Sequence, residues 1–192
     1  MLKLLLKKQL LEIFRSYYYD AKKNKARSKA ATIAYIAMFA VLMVVVLGGI
    51  FTLLSVKMCA PMAQAGMGWL YFALMGLLAV FLGVFGSVFN TYASLYLAKD
   101  NDLLLSMPIP VYVLLASRLL GVYLMGLLYS GIVILPAVIV YWAVAGVTLA
   151  NVLGGVLLTA LISVFVMTLS CALGWVVAKI SLLKHKSFVT VV

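Results

Sequence analysis

Long stretches of this chain carry no charged side chain, among them Ala30–Val56, Met58–Ala98, Leu119–Ala178 and the shorter Ser187–Val192. A helix of about 20 apolar residues, rising ~1.5 Å per residue, crosses a hydrocarbon core about 30 Å thick. The first two runs are long enough for one crossing each and the third for two. Composition agrees. Residues of the AVILMFWYC set make up 67% of the 192 positions and charged residues 10%, against about 45–50% apolar and about 25% charged in soluble domains. A water-soluble fold of this size could not hide so much apolar surface, whereas a bilayer accepts it. The class expected is an all-α polytopic membrane protein.

The spans are expected at about residues 31–54, 69–96, 113–140 and 149–177, within a transmembrane domain over residues 30–192. Lys57–Gly68 reads as a short loop containing Pro61, and Ala143–Thr148 as an uncharged turn. Residues from Ser187 onward read as the start of a fifth span, which makes the chain look like the front portion of a longer one. Trp69 and Tyr71 suit one membrane interface and Tyr92 and Tyr96 the other, where amphipathic rings settle.

Ahead of the spans, residues 1–29 form an interfacial segment. Leu2, Leu6, Leu10, Ile13, Phe14 and Tyr17 recur at helical spacing and share one face, opposite Lys8, Glu12 and Arg15. Such a helix, expected over residues 2–19, lies in the plane of the membrane surface with its lysines near anionic headgroups. The run Leu4–Leu6 is interrupted at once by Lys7 and Lys8, unlike the unbroken apolar core of a cleavable signal peptide. Asp20–Lys29 follows as a basic hinge.

The net charge of +11 raises the question of nucleic acid. Its distribution answers no, because nine of the fifteen basic residues precede position 30 and the rest flank apolar runs. A duplex-binding protein needs a continuous basic face. Basic residues instead collect at the cytoplasmic ends of spans. With the N-terminus in the cytoplasm, fourteen basic residues lie inside and one, Lys57, outside; the opposite orientation inverts that ratio.

Chemistry-bearing motifs are sparse. The chain has no Gly-x-x-x-x-Gly-Lys-[Ser/Thr] phosphate loop of its own. No acidic residue falls within an expected span, which disfavours a proton relay. His185, the one histidine, sits between Lys184 and Lys186, away from any carboxylate or second histidine. Cys59 and Cys171 read as small buried thiols. No enzyme active site, metal site or cofactor site is therefore expected in this chain.

Two segments stand out. In the second span Gly83, Ser87, Asn90, Thr91 and Ser94 fall three and four apart, on one helix face. Small and hydroxyl-bearing residues permit close backbone approach and interhelical hydrogen bonds. The face lines a translocation path or a dimer seam, or it serves helix packing alone. The second segment, residues 98–110, joins the second and third spans. There Asp100 or Asn101 can cap a short helix, Leu103, Leu104, Leu105 and Met107 give it an apolar surface, and Pro108 and Pro110 end it. It is a docking helix or a loop helix lying against lipid.

The run Leu97-Ala98-Lys99-Asp100-Asn101-Asp102-Leu103-Leu104-Leu105-Ser106-Met107-Pro108-Ile109 resembles the cytoplasmic loop of a family of bacterial ABC exporter permeases. Arg118, in Ala116-Ser117-Arg118-Leu119, is similar to that family's next basic position. The order of interfacial helix, two spans, coupling helix and further spans is also similar. The resemblance implies a permease subunit of the bacterial inner membrane, with Asp100–Met107 seated on a separate nucleotide-binding ATPase subunit. ATP and Mg would be bound by that partner. A second permease half or a homodimer mate and membrane lipid complete the expected partners, with no nucleic acid among them. About six spans are usual for such a half, and four are complete here. Two other readings stay open: a non-transporting membrane scaffold or assembly factor, and an ATP-independent channel or secondary carrier.

Overall fold

In the computed structural model, which describes residues 19–20, 25–26, 28–96 and 110–189, the chain is an all-helical polytopic membrane protein. A two-residue antiparallel bridge precedes the helices, β1 (Tyr19–Asp20) on β2 (Lys25–Ala26), pairing Tyr19 with Ala26 and Asp20 with Lys25. Tyr19 is thus extended rather than the last residue of a helix. Leu2, Leu6, Leu10, Ile13, Phe14 and Tyr17, expected on the interfacial helix, lie outside the described residues.

The first span is α1 (Lys29–Ala40), a π-helical stretch (Val41–Leu47) and α2 (Gly48–Gln64) in continuous succession. It begins two residues earlier than expected, at a serine cap. The Ser28 hydroxyl accepts from the Ala31 amide at 3.3 Å, satisfying one of the four donors that a helix start leaves open. It ends later than expected. Most of the Lys57–Gly68 segment read as a loop is helix to Gln64, with Pro61 inside it. Proline this close to a helix end sacrifices one hydrogen bond, to the Lys57 carbonyl, and membrane helices tolerate that loss. The stop comes from Gly66, whose φ of 71° few other residues adopt. Its amide reaches the Ala63 carbonyl at 3.2 Å and the Met67 amide the Met62 carbonyl at 2.9 Å, the two-bond closure of a Schellman motif.

α3 (Gly68–Thr91) continues as a π turn (Tyr92–Tyr96), forming the second span. The third is α4 (Val111–Ala145), started by Pro110, and the fourth α5 (Leu149–Val189). All four are long and apolar enough to cross a membrane. The turn between α4 and α5 is only Gly146–Thr148. Gly146 takes φ 88°, Thr148 accepts from the Asn151 amide at 3.3 Å, and the Asn151 side chain donates to the Gly146 carbonyl at 3.0 Å. α5 runs unbroken through Val189. Residues 187–189, expected to open a fifth span, therefore extend the fourth helix, and residues 190–192 lie outside the described residues.

Three helices supply most of the core, and Cys59 of α2 joins them. Tyr71, Met75 and Ala79 of α3, Val133, Ile134 and Ala137 of α4, and Ile162 and Val166 of α5 are buried together. Since lipid is as apolar as leucine, these helices associate by close packing and hydrogen bonds rather than by escape from water. Val166 is fully buried between two glycines. A Cβ placed on Gly83 would stand 2.9 Å from both its methyls, and one on Gly126 3.2 Å from Cγ1. The first span is peripheral. α2 rests on α4 with Ser55 and Cys59 buried, while Ile33, Ile36, Val44 and Val45 of its earlier half are exposed.

Adjacent glycines on α5 test this packing. A Cβ on Gly155 would meet Val138 Cγ1 at 2.6 Å and Trp142 Cζ2 at 3.2 Å, whereas Gly154 has nothing within 4 Å. Gly155→Ala is expected to lower the thermal unfolding midpoint of the detergent-purified chain. Gly154→Ala is expected to hold or raise it, since alanine gains up to about 1 kcal/mol of helix propensity over glycine.

Candidate functional site

The helical period does bring the small-residue face of α3 together, and its neighbours decide what it does. Gly83, Ser87 and Thr91 are buried inside the bundle, while Asn90 and Ser94 are half-buried. Serine and threonine in lipid must satisfy their hydroxyls locally or across helices. Ser87 Oγ donates to the Gly83 carbonyl at 2.7 Å, and Thr91 Oγ1 to the Ser87 carbonyl at 2.9 Å. Ser94 Oγ lies 3.4 Å from the Thr91 carbonyl.

Across the interface, Ser87 Oγ stands 2.6 Å from Ser170 Oγ of α5. With the single Ser87 proton directed at Gly83, Ser170 supplies the hydrogen between the two hydroxyls. Around this pair the contacts are tight. Gly83 sits under Val166 and Ser130, and Gly86 under the Tyr129 ring, where a Cβ would come within 2.6 Å of Cγ. Thr91 Cγ2 lies 3.4 Å from where a Gly174 Cβ would stand, and Tyr96 Cε2 3.1 Å. Tyr96 also donates to the Cys171 carbonyl at 3.0 Å, which ties the end of the second span to the fourth. Higher in the bundle Tyr71 donates to the Ala137 carbonyl at 2.9 Å.

Gly83, Ser87 and Thr91 are thus sealed within one chain, so they face neither a second copy nor an open path. The sequence period shows which residues share a face but not which helix covers them. Asn90 differs, because its Nδ2 is buried with no hydrogen-bond partner among the described residues. Asn90 is the one member of the face with an amide left to satisfy, at a cost of about 1–3 kcal/mol if it stays unpaired.

The structure adds residues that the sequence reading did not single out. Ser170, Ser130, Val166 and Gly174 are the partners of the small face. Arg118, which falls inside the expected third span, lies two turns inside α4 and is only 9% exposed, beside buried Leu114, Ser117, Gly121 and Val122. A charge at that depth turns to the protein interior because lipid cannot solvate it. The signal was present in the sequence, since Arg118 stands within helix-forming apolar residues that continue back to Val111. The expected ATPase-coupling residues Asp100, Asn101, Asp102, Leu103, Leu104, Leu105 and Met107 lie outside the described residues. Their flanks are described, and Tyr96 and Pro110 bound the connection between the second and third spans.

No family model matches the chain, and no curated protein or solved structure shows significant similarity to it.

Glycine and hydroxyl at this interface are expected to contribute unequally. Gly83→Val adds three carbons where even a Cβ is crowded and should destabilise by about 2 kcal/mol or more. Ser87→Ala should cost about 0.6 kcal/mol, the average for an interhelical hydrogen bond in a membrane. A double-mutant cycle with Ser170→Ala, read by unfolding in mixed micelles, should return a coupling of that order.

Proposed function

We propose that this chain is the transmembrane permease subunit of an ATP-driven ABC exporter. In this reading residues 98–110 form the coupling helix, the N-terminus is cytoplasmic and a separate nucleotide-binding subunit hydrolyses ATP. The resemblance of residues 97–109 to the exporter loop motivates it. One structural observation supports it above others: the two helices joined by that loop are tightly interlocked. Gly83 beneath Ser130, Gly86 beneath Tyr129, and the Tyr71–Ala137 hydrogen bond fasten α3 to α4 along their length.

A force applied at the loop therefore acts on both spans together. Val166 and Ser170 carry it on to α5. ATP-driven closure of the nucleotide-binding pair would press on the Asp100–Met107 helix and rock this three-helix unit against its mate. A push transmitted this way needs contacts that differ between the two states, and Asn90, whose amide has no partner among the described residues, is a candidate to exchange partners as the unit moves. Arg118, close to the loop and turned inward, would hold the cytoplasmic end of α4 in register.

The experiment is affinity purification from native membrane with the co-purifying proteins identified. Leu104→Asp or Asp102→Lys should abolish stoichiometric recovery of a nucleotide-binding subunit while membrane insertion is unchanged. Recovery of the chain without any ATPase under conditions that preserve such complexes would favour the scaffold or carrier. Orientation has its own measurement. A cysteine at Lys57, in a background with Cys59 and Cys171 replaced, should react with an impermeant maleimide added outside intact cells, and a cysteine at Ser28 should react only after lysis.

A further inference from the structure

The open groove between the first span and α4, on which Gly49 and Gly131 lie, has largely apolar walls. Charge is found elsewhere. Among the described residues Arg118 is the one charged side chain that is buried, at 9% exposure. Its neighbours along α4, Leu114, Ser117, Gly121 and Val122, are buried with it, and the Ser117 hydroxyl is spent on the Leu114 carbonyl at 2.7 Å. No hydrogen bond or ion pair to the Arg118 guanidinium occurs among the described residues. A full positive charge and its N–H donors are thus held without an acceptor, an arrangement that costs free energy until an anion completes it.

Depth identifies the anion. α4 has 35 residues, about 52 Å of helix at ~1.5 Å per residue, against a hydrocarbon core about 30 Å thick. Shared evenly, the overhang is roughly 11 Å at each end, and Arg118, two turns past Val111, stands about 10 Å from the start. The side chains at that height agree. Antiparallel helices keep step, so counting just over two turns along each from the Gly126–Val166 contact sets Arg118 level with Gly174. Tyr96 packs there, and Trp175 is exposed beside it with Lys179 Nζ 4.9 Å over its ring. Exposed Tyr and Trp mark the headgroup level. No carboxylate reaches it from a span. The acidic residues of the chain are Glu12, Asp20, Asp100 and Asp102, none of them within residues 28–96 or 110–189, so the spans of a second copy bring none either. Lipid phosphate is the anion that the bilayer itself supplies at this height, and a guanidinium fork takes two of its oxygens at once.

We propose that Arg118 is the binding site for the phosphate of one anionic glycerophospholipid, in the leaflet at the Pro110 end of α4. The window left at Arg118 admits a phosphate rather than the face of another helix, since nine-tenths of the side chain is already covered. Its buried stem holds the guanidinium in place before the lipid arrives, so little side-chain entropy is lost on binding. Lys179, folded over Trp175 at the same level, repels a choline headgroup and so favours a lipid of net negative charge. The proposal depends on neither the transport reading nor the orientation.

Native mass spectrometry tests it on the full chain in mild detergent, with dioleoyl phosphatidylglycerol and dioleoyl phosphatidylcholine offered in equal amounts. One phosphatidylglycerol per chain should survive removal of the micelle, and excess inorganic phosphate should not displace it. Arg118→Gln should lower the retained fraction at least about tenfold. Arg118→Lys, which keeps the charge without the fork, should lower it less. Lys57→Gln, at the opposite end of the bundle, should leave it unchanged, as should Asp100→Asn combined with Asp102→Asn. Circular dichroism and the unfolding midpoint establish whether Arg118→Gln is folded; if it is not, the wild-type competition and Arg118→Lys still decide. A wild-type chain without phosphatidylglycerol, equal retention of the two lipids, or full retention by folded Arg118→Gln would overturn the proposal. Displacement by inorganic phosphate would assign Arg118 to a free anion instead, and a rise in retention when Asp100 and Asp102 are neutralised would assign it to those carboxylates.

Discussion

Val166 sitting between Gly83 and Gly126 is the contact on which the rest of this molecule depends. Inside a bilayer there is no water to flee, so two helices stay together only if their surfaces meet closely enough for dispersion forces and hydrogen bonds to exceed those made with lipid tails. A valine reaching two glycine backbones at once binds α3, α4 and α5 at a single point. The Ser87–Ser170 hydroxyl pair and the Tyr71–Ala137 hydrogen bond then fix the rotation of each helix about its axis, since each bond fails if its helix turns.

From that contact follows a division between a central unit and a flanking one. The central unit is the three-helix core. The first span rests on it mainly through α2, with Ser55 and Cys59 as its buried residues, and its earlier half faces outward along most of its circumference. Glycines take opposite roles in the two places. In the core Gly83 and Gly126 are occupied by a neighbour, whereas at the boundary Gly49 and Gly131 leave room. The same residue type produces a close contact or a groove according to what stands across from it.

Apolar run length made the helical class and the number of crossings legible from residue types alone. The uncharged turn at Ala143–Thr148 was also readable, and the structure narrows it to Gly146–Thr148. The boundaries were less legible where two local signals competed. Pro61 and Lys57 both suggested a loop, yet the helix passes through them because the Schellman closure lies at Gly66. At the other end, Lys179, Lys184 and Lys186 suggested a stop that the helix ignores, because charge ends a membrane span without ending helical hydrogen bonding. The small face of α3 was readable as a face through its period, but its burial was not, because Val166, Ser130 and Ser170 approach it from positions far away in sequence.

The sequence by itself determined that this chain crosses a bilayer four times as helices. That outcome depends only on the free energy of moving each segment from water to lipid and on the need to pair every backbone group within its own segment. Both are local quantities, summed residue by residue. Only the tertiary structure decided that Gly83, Ser87 and Thr91 are sealed inside the bundle, that Asn90 finds no partner for its amide among the described residues, that Arg118 turns inward, and that Gly49 and Gly131 line a groove. Those outcomes depend on which helix stands opposite which, and in lipid that choice is made by the shape of surfaces distant in the chain rather than by hydrophobicity, which every segment here shares.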